Sequence, residues 1–131
     1  FGLHMQKTLR KRRQFIFCAN LQTAHHVTDA SPIYHQLDVS GFLPHERAFL
    51  DRLFDEMGAI DAFREINKQS NQFTWWPEWD GGERKNVGIR ADYQLLTPGI
   101  RKTIRDGWID ETTRFSDHAP LIMDYDIDIG F

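Results

Sequence analysis

The chain has 131 residues and a formal net charge of -3, which is the size of one domain or of part of one. Apolar residues make up 40% of the sequence and aromatic residues 13%, enough for a packed core, so the composition excludes an intrinsically disordered chain. A single cysteine excludes an intramolecular disulfide, and no apolar run approaches the roughly 18 residues of a membrane span. These features predict a cytoplasmic protein with no membrane partner.

The charges are unevenly distributed along the chain. Before residue 29 the basic residues cluster and acids are missing, whereas the last ten residues carry three aspartates. The basic cluster consists of Lys7, Arg10, Lys11, Arg12 and Arg13. It fits either a solvated helix face or a surface that contacts nucleic-acid phosphates. Because the chain begins at Phe1 inside this helix-like segment, with no N-cap signal, we expect that it starts within a longer domain.

The first half of the chain predicts a strand, a loop and a helix. Residues 15–18 form a short apolar run that indicates a buried strand, and residues 20–40 lack any sustained period and indicate a long loop. Pro44 suits a first helical turn. After it, apolar residues recur at helical spacing from residue 49 to residue 57, and Gly58 follows as a C-terminal cap. This is the clearest helix of the sequence, and its apolar stripe predicts core.

The second half of the chain predicts strands. Residues 73–76 are aromatic and β-prone, residues 89–96 indicate a strand that ends before Pro98, and residues 100–109 predict its partner strand. Residues 120–125 predict the final strand. One long helix with four or five strands is typical of α/β architecture.

Chemically capable residues lie at the ends of these strands. Asp117 and His118 precede the final strand, and Asp92 lies in the strand before it. An Asp–His pair at such a position is either a hydrogen-bonding device of the loop or a catalytic dyad. The second carboxylate, Asp92, and the aromatic residues around Trp75 favour a catalytic site over a hydrogen-bonding loop.

Three segments carry a resemblance to a known family. Segment 116–120 is Ser-Asp-His-Ala-Pro, segment 86–92 is Asn-Val-Gly-Ile-Arg-Ala-Asp, and segment 42–47 is Phe-Leu-Pro-His-Glu-Arg. Together they resemble the C-terminal half of the exonuclease III and apurinic endonuclease family, within the endonuclease/exonuclease/phosphatase superfamily. The resemblance implies half of a four-layer α/β sandwich of the DNase I-like fold, with a mixed sheet and flanking helices. Residues 1–131 would be the C-terminal portion of one domain. The N-terminal half of the same domain, which is absent from this sequence, would be a partner of this chain.

The resemblance also implies roles for individual residues. His118 would be the catalytic imidazole, Asp117 would orient it or assist a metal, and Asp92 would orient it from the neighbouring strand. Trp75 and Asn86 would bind substrate. The implied cofactor is Mg²⁺, which prefers hard oxygen ligands, and the implied substrate is a DNA phosphodiester.

The sequence departs from the family at one catalytic segment. The family pattern Gly-Asp-x-Asn corresponds here to Ala19-Asn20-Leu21-Gln22. The Asn20 amide cannot accept a proton as a carboxylate does, and Gln22 is one methylene longer than the family's Asn. A lost general acid or base typically costs 10²–10⁴-fold in rate. We therefore predict that this segment is catalytically degenerate.

Two functional hypotheses follow from this pattern. The chain resembles most closely the catabolite repression control branch of the family, which acts with the RNA chaperone Hfq in translational repression. The first hypothesis is therefore a regulatory module without catalysis that binds an RNA–Hfq complex and needs no metal. The alternative is an active Mg²⁺-dependent exodeoxyribonuclease III or apurinic endonuclease with an unusual catalytic segment.

Overall fold

A computed structural model describes residues 14–35, 41–76, 88–112 and 117–127. The strands are β1 (Ile16–Asn20), β2 (Ile60–Asp61), β3 (Asp92–Leu96), β4 (Ile104–Ile109) and β5 (Leu121–Tyr125). The α-helices are α1 (Pro32–His35), α2 (Pro44–Asp51) and α3 (Ala62–Ile66). Two 3₁₀ segments, Val27–Asp29 and Pro98–Thr103, and a π-helical turn, Arg52–Glu56, complete the described elements. None of the helices in these ranges is long and apolar enough to cross a membrane.

The strands form two small sheets. The first has the order β1-β3-β2, and the second pairs β4 with β5. In the first sheet Ile16 lies opposite Leu96 and Asn20 lies opposite Asp92. Every pair among the described strands is antiparallel, so the parallel pairs that a mixed sheet requires are not found within these residues.

Helix α2 covers one face of the β1-β3-β2 sheet. Its N-terminus is held by Glu46, whose Oε1 accepts the backbone N–H groups of Gly41 at 2.8 Å and Leu43 at 2.9 Å. The predicted apolar stripe packs on the sheet, since Leu50 and Leu53 form a fully buried cluster. Its other buried members are Ala59, Tyr93 and Leu95. The helix prediction is confirmed.

The opposite face of the same sheet packs against the second sheet. Leu96 and Ile60 lie in a buried cluster on which β4 and β5 place Ile104 and Met123. The predicted end of the long helix is also confirmed, because Gly58 adopts φ +81°, a conformation that costs glycine little. The central sheet therefore lies between α2 and the β4-β5 pair, which gives a layered α/β arrangement.

Several element predictions were wrong in detail. Residues 98–103 form a 3₁₀ segment, so only Ile104–Ile109 of the predicted strand 100–109 is extended, and its partner is β5 rather than β3. The predicted loop 20–40 contains Val27–Asp29 and α1. Residues 73–76 contribute only isolated bridges. The sequence also gave no sign of β2 or α3, because a two-residue strand and a five-residue helix are too short to establish a period.

A buried charge network fixes the polypeptide around the central sheet. Arg90, 1% exposed, donates from Nε to Asp29 Oδ1 at 2.9 Å. Its two terminal nitrogens donate to the two oxygens of Asp61 at 3.0 and 2.6 Å. Arg64 also donates to Asp29, which is fully buried. Such bidentate, charge-assisted pairs are the geometry in which a buried charge is tolerated.

The network predicts an acid-sensitive contribution to stability. Burial of Asp29 opposes its ionisation, but the positive charges and hydrogen bonds of Arg90 and Arg64 outweigh burial and hold its pKa well below the ordinary 3.8. Because the folded-state pKa is depressed, the stabilisation is present above about pH 4 and is lost as pH falls towards the folded-state pKa.

We expect the free energy of unfolding to decrease below about pH 4, with proton uptake on unfolding. In ¹³C NMR spectra the Asp29 carboxyl should keep its ionised chemical shift at pH 3. A carboxyl signal that titrates at the ordinary pKa of 3.8 would contradict this assignment.

Candidate functional site

The imidazole of His118 and the carboxylate of Asp92 form the centre of the candidate site. His118 Nδ1 lies 2.7 Å from Asp92 Oδ2. Asp92 opens β3, and His118 lies three residues before β5, so two separate strand ends bring the pair together. Their side chains are 25% and 30% exposed, which leaves the pair accessible from solvent. The geometry is that of an imidazole whose orientation a carboxylate fixes.

Trp75 joins this pair to a second carboxylate. Its backbone bridges both Ile89 and His118. Its indole N–H donates to Asp117 Oδ2 at 3.0 Å, and the other oxygen of Asp117 lies 3.9 Å from His118 Nε2. Asp92 thus lies beside Nδ1 and Asp117 beside Nε2 of the same imidazole. Of the two carboxylates, only Asp92 is within hydrogen-bond distance of the ring.

Buried Thr74 also positions Asp92, and sequence reasoning missed it. The Thr74 hydroxyl accepts the backbone N–H groups of Ala91 at 2.9 Å and Asp92 at 3.1 Å. These bonds fix the backbone at the start of β3. A threonine between aromatic residues was the available signal, since a buried hydroxyl normally needs a partner.

Asn20 stands at the last residue of β1, opposite Asp92. Its side-chain oxygen accepts the backbone N–H of Gln22 at 3.0 Å, which closes a tight turn after the strand. Gln22 adopts φ +54° in this turn. Left-handed backbone is unfavourable for most residues and favours glycine or asparagine. The turn therefore suits an asparagine better than the glutamine that is present.

This backbone strain leads to a stability prediction. Replacement of Gln22 by glycine should raise the free energy of unfolding by about 0.5–1 kcal/mol, because glycine adopts positive φ without a steric cost. Gln69→Gly is the matched control, since Gln69 is also exposed and does not have positive φ. There the same change should destabilise the protein by lost chain entropy. Urea denaturation of both variants measures the difference, and equal effects would contradict it.

Among the cavities that the described residues line, two open beside His118. One, of about 260 Å³, is bounded by Asn20, Gln22, Gly41, Trp75, Ile89, Ala91 and His118. The other, of about 440 Å³, also contains Asn20 and His118 in its wall, together with Asp92. Asn20 and His118 are therefore common to the walls of both cavities.

The described residues provide only a small part of a metal site. Asp117 offers a half-exposed carboxylate, one oxygen of which already accepts the Trp75 indole N–H. Within the described ranges no group of three or more His, Cys, Asp or Glu residues could hold a metal ion. A Mg²⁺ ion needs about six oxygen ligands in near-octahedral geometry. The described residues alone therefore do not form a binding site for the ion.

The structure brings most of the predicted site residues together. His118 is hydrogen-bonded to Asp92, and Trp75 is hydrogen-bonded to Asp117. Asn20 and Gln22 share a cavity wall with His118. Asn86 and the basic cluster at residues 7–13 lie outside the described residues.

Comparisons with known proteins identify the relatives of this chain. No protein-family model matches it. DNA repair nuclease APEX1 of Danio rerio is 32% identical over 116 residues, which cover 88% of this chain and 37% of that protein. The exodeoxyribonuclease of Bacillus subtilis is 29% identical over 114 residues, which cover 86% of this chain and 45% of the relative. The homologues of this chain are exodeoxyribonuclease III and AP endonuclease family proteins.

Solved structures from this family share the fold. An AP endonuclease from Archaeoglobus fulgidus superimposes with a TM-score of 0.84 at 23% identity, over 96% of this chain and 51% of the archaeal one. The predicted DNase I-like α/β fold is confirmed by this similarity. The chain spans less than half the length of the curated family relatives it matches first.

Proposed function

We propose that this chain is the C-terminal portion of an exonuclease III-type domain that binds nucleic acid and hydrolyses it poorly. The observation that carries the proposal is the position of the Asn20 amide, which lies at the end of β1 opposite Asp92 and shares two cavity walls with His118. Hydrolysis by the family's mechanism, as the resemblance implies it, needs a carboxylate there. An amide neither accepts a proton nor carries charge at neutral pH.

The remainder of the site supports binding. The His118–Asp92 pair keeps a hydrogen bond of 2.7 Å, and the Trp75 indole is fixed by its bond to Asp117. An imidazole, a carboxylate and an aromatic wall held in this way are organised to position a substrate. The departure from the family pattern therefore concerns the segment at the end of β1 and leaves the His118–Asp92 and Trp75–Asp117 pairs in place.

Similarity to its relatives favours DNA as the ligand of this chain. The similar Danio rerio protein is a DNA repair nuclease, and we extend DNA binding to this chain as a proposal. In the same proposal the N-terminal half of the domain completes the site and supplies further metal ligands. A regulatory role with an RNA–Hfq complex stays a prediction that rests on sequence resemblance.

Retained residues favour a second candidate function, an active Mg²⁺-dependent exodeoxyribonuclease or AP endonuclease. Asp117 lies 3.9 Å from His118 Nε2, on the side opposite Asp92. A modest side-chain rotation would place this second carboxylate within hydrogen-bond distance of the imidazole. It could then take over part of the task of the missing aspartate.

A comparison of binding with cleavage tests the proposal. The full-length protein should bind a labelled duplex with one abasic site in EDTA. In Mg²⁺ it should cleave duplex DNA at least about 100-fold more slowly than the B. subtilis exodeoxyribonuclease. Comparable cleavage that His118→Ala abolishes would select the second candidate. Failure to bind the duplex would exclude both.

A further inference from the structure

A short segment lies between the two parts of the chain that carry His118 and Asp92. Trp75 in this segment forms isolated bridges with Ile89 on one side and with His118 on the other. The neighbouring Thr74 donates its backbone N–H to the Ile89 carbonyl at 3.0 Å. The segment therefore joins two parts of the chain whose site residues are 26 positions apart in sequence.

Thr74 bonds to the backbone on both sides through two different groups. Its hydroxyl oxygen accepts the N–H groups of Ala91 at 2.9 Å and Asp92 at 3.1 Å. Its carbonyl oxygen accepts the N–H of Ala119, the residue after His118, at 2.8 Å. The Thr74 side chain thus fixes the backbone of the carboxylate, and the Thr74 main chain fixes the backbone next to the imidazole.

The contact between imidazole and carboxylate depends on these backbone positions. The side chains of His118 and Asp92 are short, with two rotatable bonds each, so the separation of their Cα atoms limits how the two groups can meet. Both side chains are partly exposed, and water competes for them. A partly exposed pair gains little free energy unless its members are already held in place, because the ordering of both side chains costs entropy.

The hydroxyl is the feature that makes residue 74 suited to this task. Thr74 is completely buried, and valine would have nearly the same shape without the oxygen. Loss of that oxygen would leave the N–H groups of Ala91 and Asp92 without their acceptor. Ala91 is itself buried, and an unpaired buried N–H is costly enough that the start of β3 would have to move.

We propose that Thr74 is a positioning residue for the His118–Asp92 pair. Its hydroxyl sets the Asp92 carboxylate against His118 Nδ1 and thereby keeps the ring proton on that nitrogen. Thr74 is not among the described residues that line the two cavities beside His118, so it acts through the pair. The inference goes beyond the proposed function, because it concerns how the pair is assembled and applies to any ligand of the site.

NMR spectroscopy of the imidazole tests this role in the full-length protein labelled with ¹⁵N-histidine. The His118 Nδ1 proton, identified by its absence in His118→Ala, should give a strongly downfield signal, because a carboxylate accepts it. Thr74→Val should abolish this signal, and Thr74→Ser, which keeps the hydroxyl, should retain it. A signal that persists in Thr74→Val would overturn the inference.

Thr97→Val is the matched control. Thr97 is also buried, and its hydroxyl oxygen accepts the Phe15 backbone N–H at 3.0 Å beyond the other end of β3. The substitution removes the same chemical group at a distance from the site, so the His118 signal should stay. Loss of the signal in both valine variants would show that it reports a general loosening of the fold, and the inference would fall.

Amide hydrogen exchange of Thr74→Ser provides the test if Thr74→Val does not fold. Serine lacks the methyl group that restricts rotation of the threonine hydroxyl. The amide protons of Ala91 and Asp92 should therefore exchange roughly 2- to 10-fold faster than in the wild-type protein, the equivalent of one weakened hydrogen bond. The Phe15 amide should keep its rate. Unchanged exchange at Asp92 would overturn the inference.

The positioning role and the proposed function have separate tests. The imidazole signal and the amide exchange are measured without nucleic acid. Failure of the wild-type protein to bind duplex DNA would exclude the proposed function, whereas only the behaviour of the Thr74 and Thr97 variants bears on the positioning role.

Discussion

The double substitution Asn20→Asp with Gln22→Asn should raise Mg²⁺-dependent cleavage of abasic-site duplex DNA by about 10²–10⁴-fold over the wild-type protein. The aspartate returns a proton-accepting carboxylate to the wall shared with His118, and that range is the usual contribution of one general acid or base. The asparagine suits the turn, since residue 22 has φ +54° and asparagine tolerates left-handed backbone. Initial rates of strand cleavage by the full-length protein give the ratio.

The two changes have separable contributions. Asn20→Asp alone should account for most of the increase, and Gln22→Asn alone should leave the rate low while it stabilises the fold. Adding His118→Ala to the double variant should remove the gain, which ties the cleavage to this site. A wild-type rate equal to that of the double variant would contradict the assignment of Asn20 as the defect.

Loss of the Arg90 side chain should cause the largest destabilisation of any single change considered. Arg90→Met keeps most of the volume but leaves Asp29 with Arg64 alone and Asp61 without its bidentate partner. Removal of one partner from a buried ion pair typically costs about 3–5 kcal/mol, because the remaining charge stays out of water. Urea denaturation at pH 7 should show this decrease in the free energy of unfolding.

An exposed pair serves as the control for that measurement. Arg105 donates to Asp126 at 2.9 Å, but the two side chains are 60% and 69% exposed. Arg105→Met should therefore change the free energy of unfolding by less than about 1 kcal/mol. Similar losses for Arg90→Met and Arg105→Met would show that the buried network does not hold the fold.

Local patterns predicted the elements that carry a strong periodic signal. The stripe through Leu50 and Leu53 predicted α2 and the π-helical turn that continues it. The apolar run around Phe17 predicted β1, but its expected burial was wrong, because the residues of β1 are exposed or half-buried among the described residues. Pairing between distant segments was not predictable in the same way. The alternation of apolar and basic residues near Ile104 indicated a strand but gave no information on its partner, because register is decided by packing across the sheet.

Sequence motifs predicted part of the site, because they identify the residue types that the chemistry requires. The Asp92–His118 contact was expected from the family resemblance and is present at 2.7 Å. The link between Trp75 and Asp117 was not expected, since two residues 42 positions apart meet only through a bridge between loop segments. The positive φ of Gln22 likewise depends on a turn that no single-residue preference predicted, because glutamine is not a usual residue there.

The ion network of Asp29, Arg90, Asp61 and Arg64 uses neither Asn20 nor Gln22. The network that anchors the fold is therefore separate from the segment that departs from the family pattern. Substitutions at positions 20 and 22 therefore leave this anchor of the fold untouched, and their cost in stability is confined to the turn after β1, where Gln22 has φ +54°.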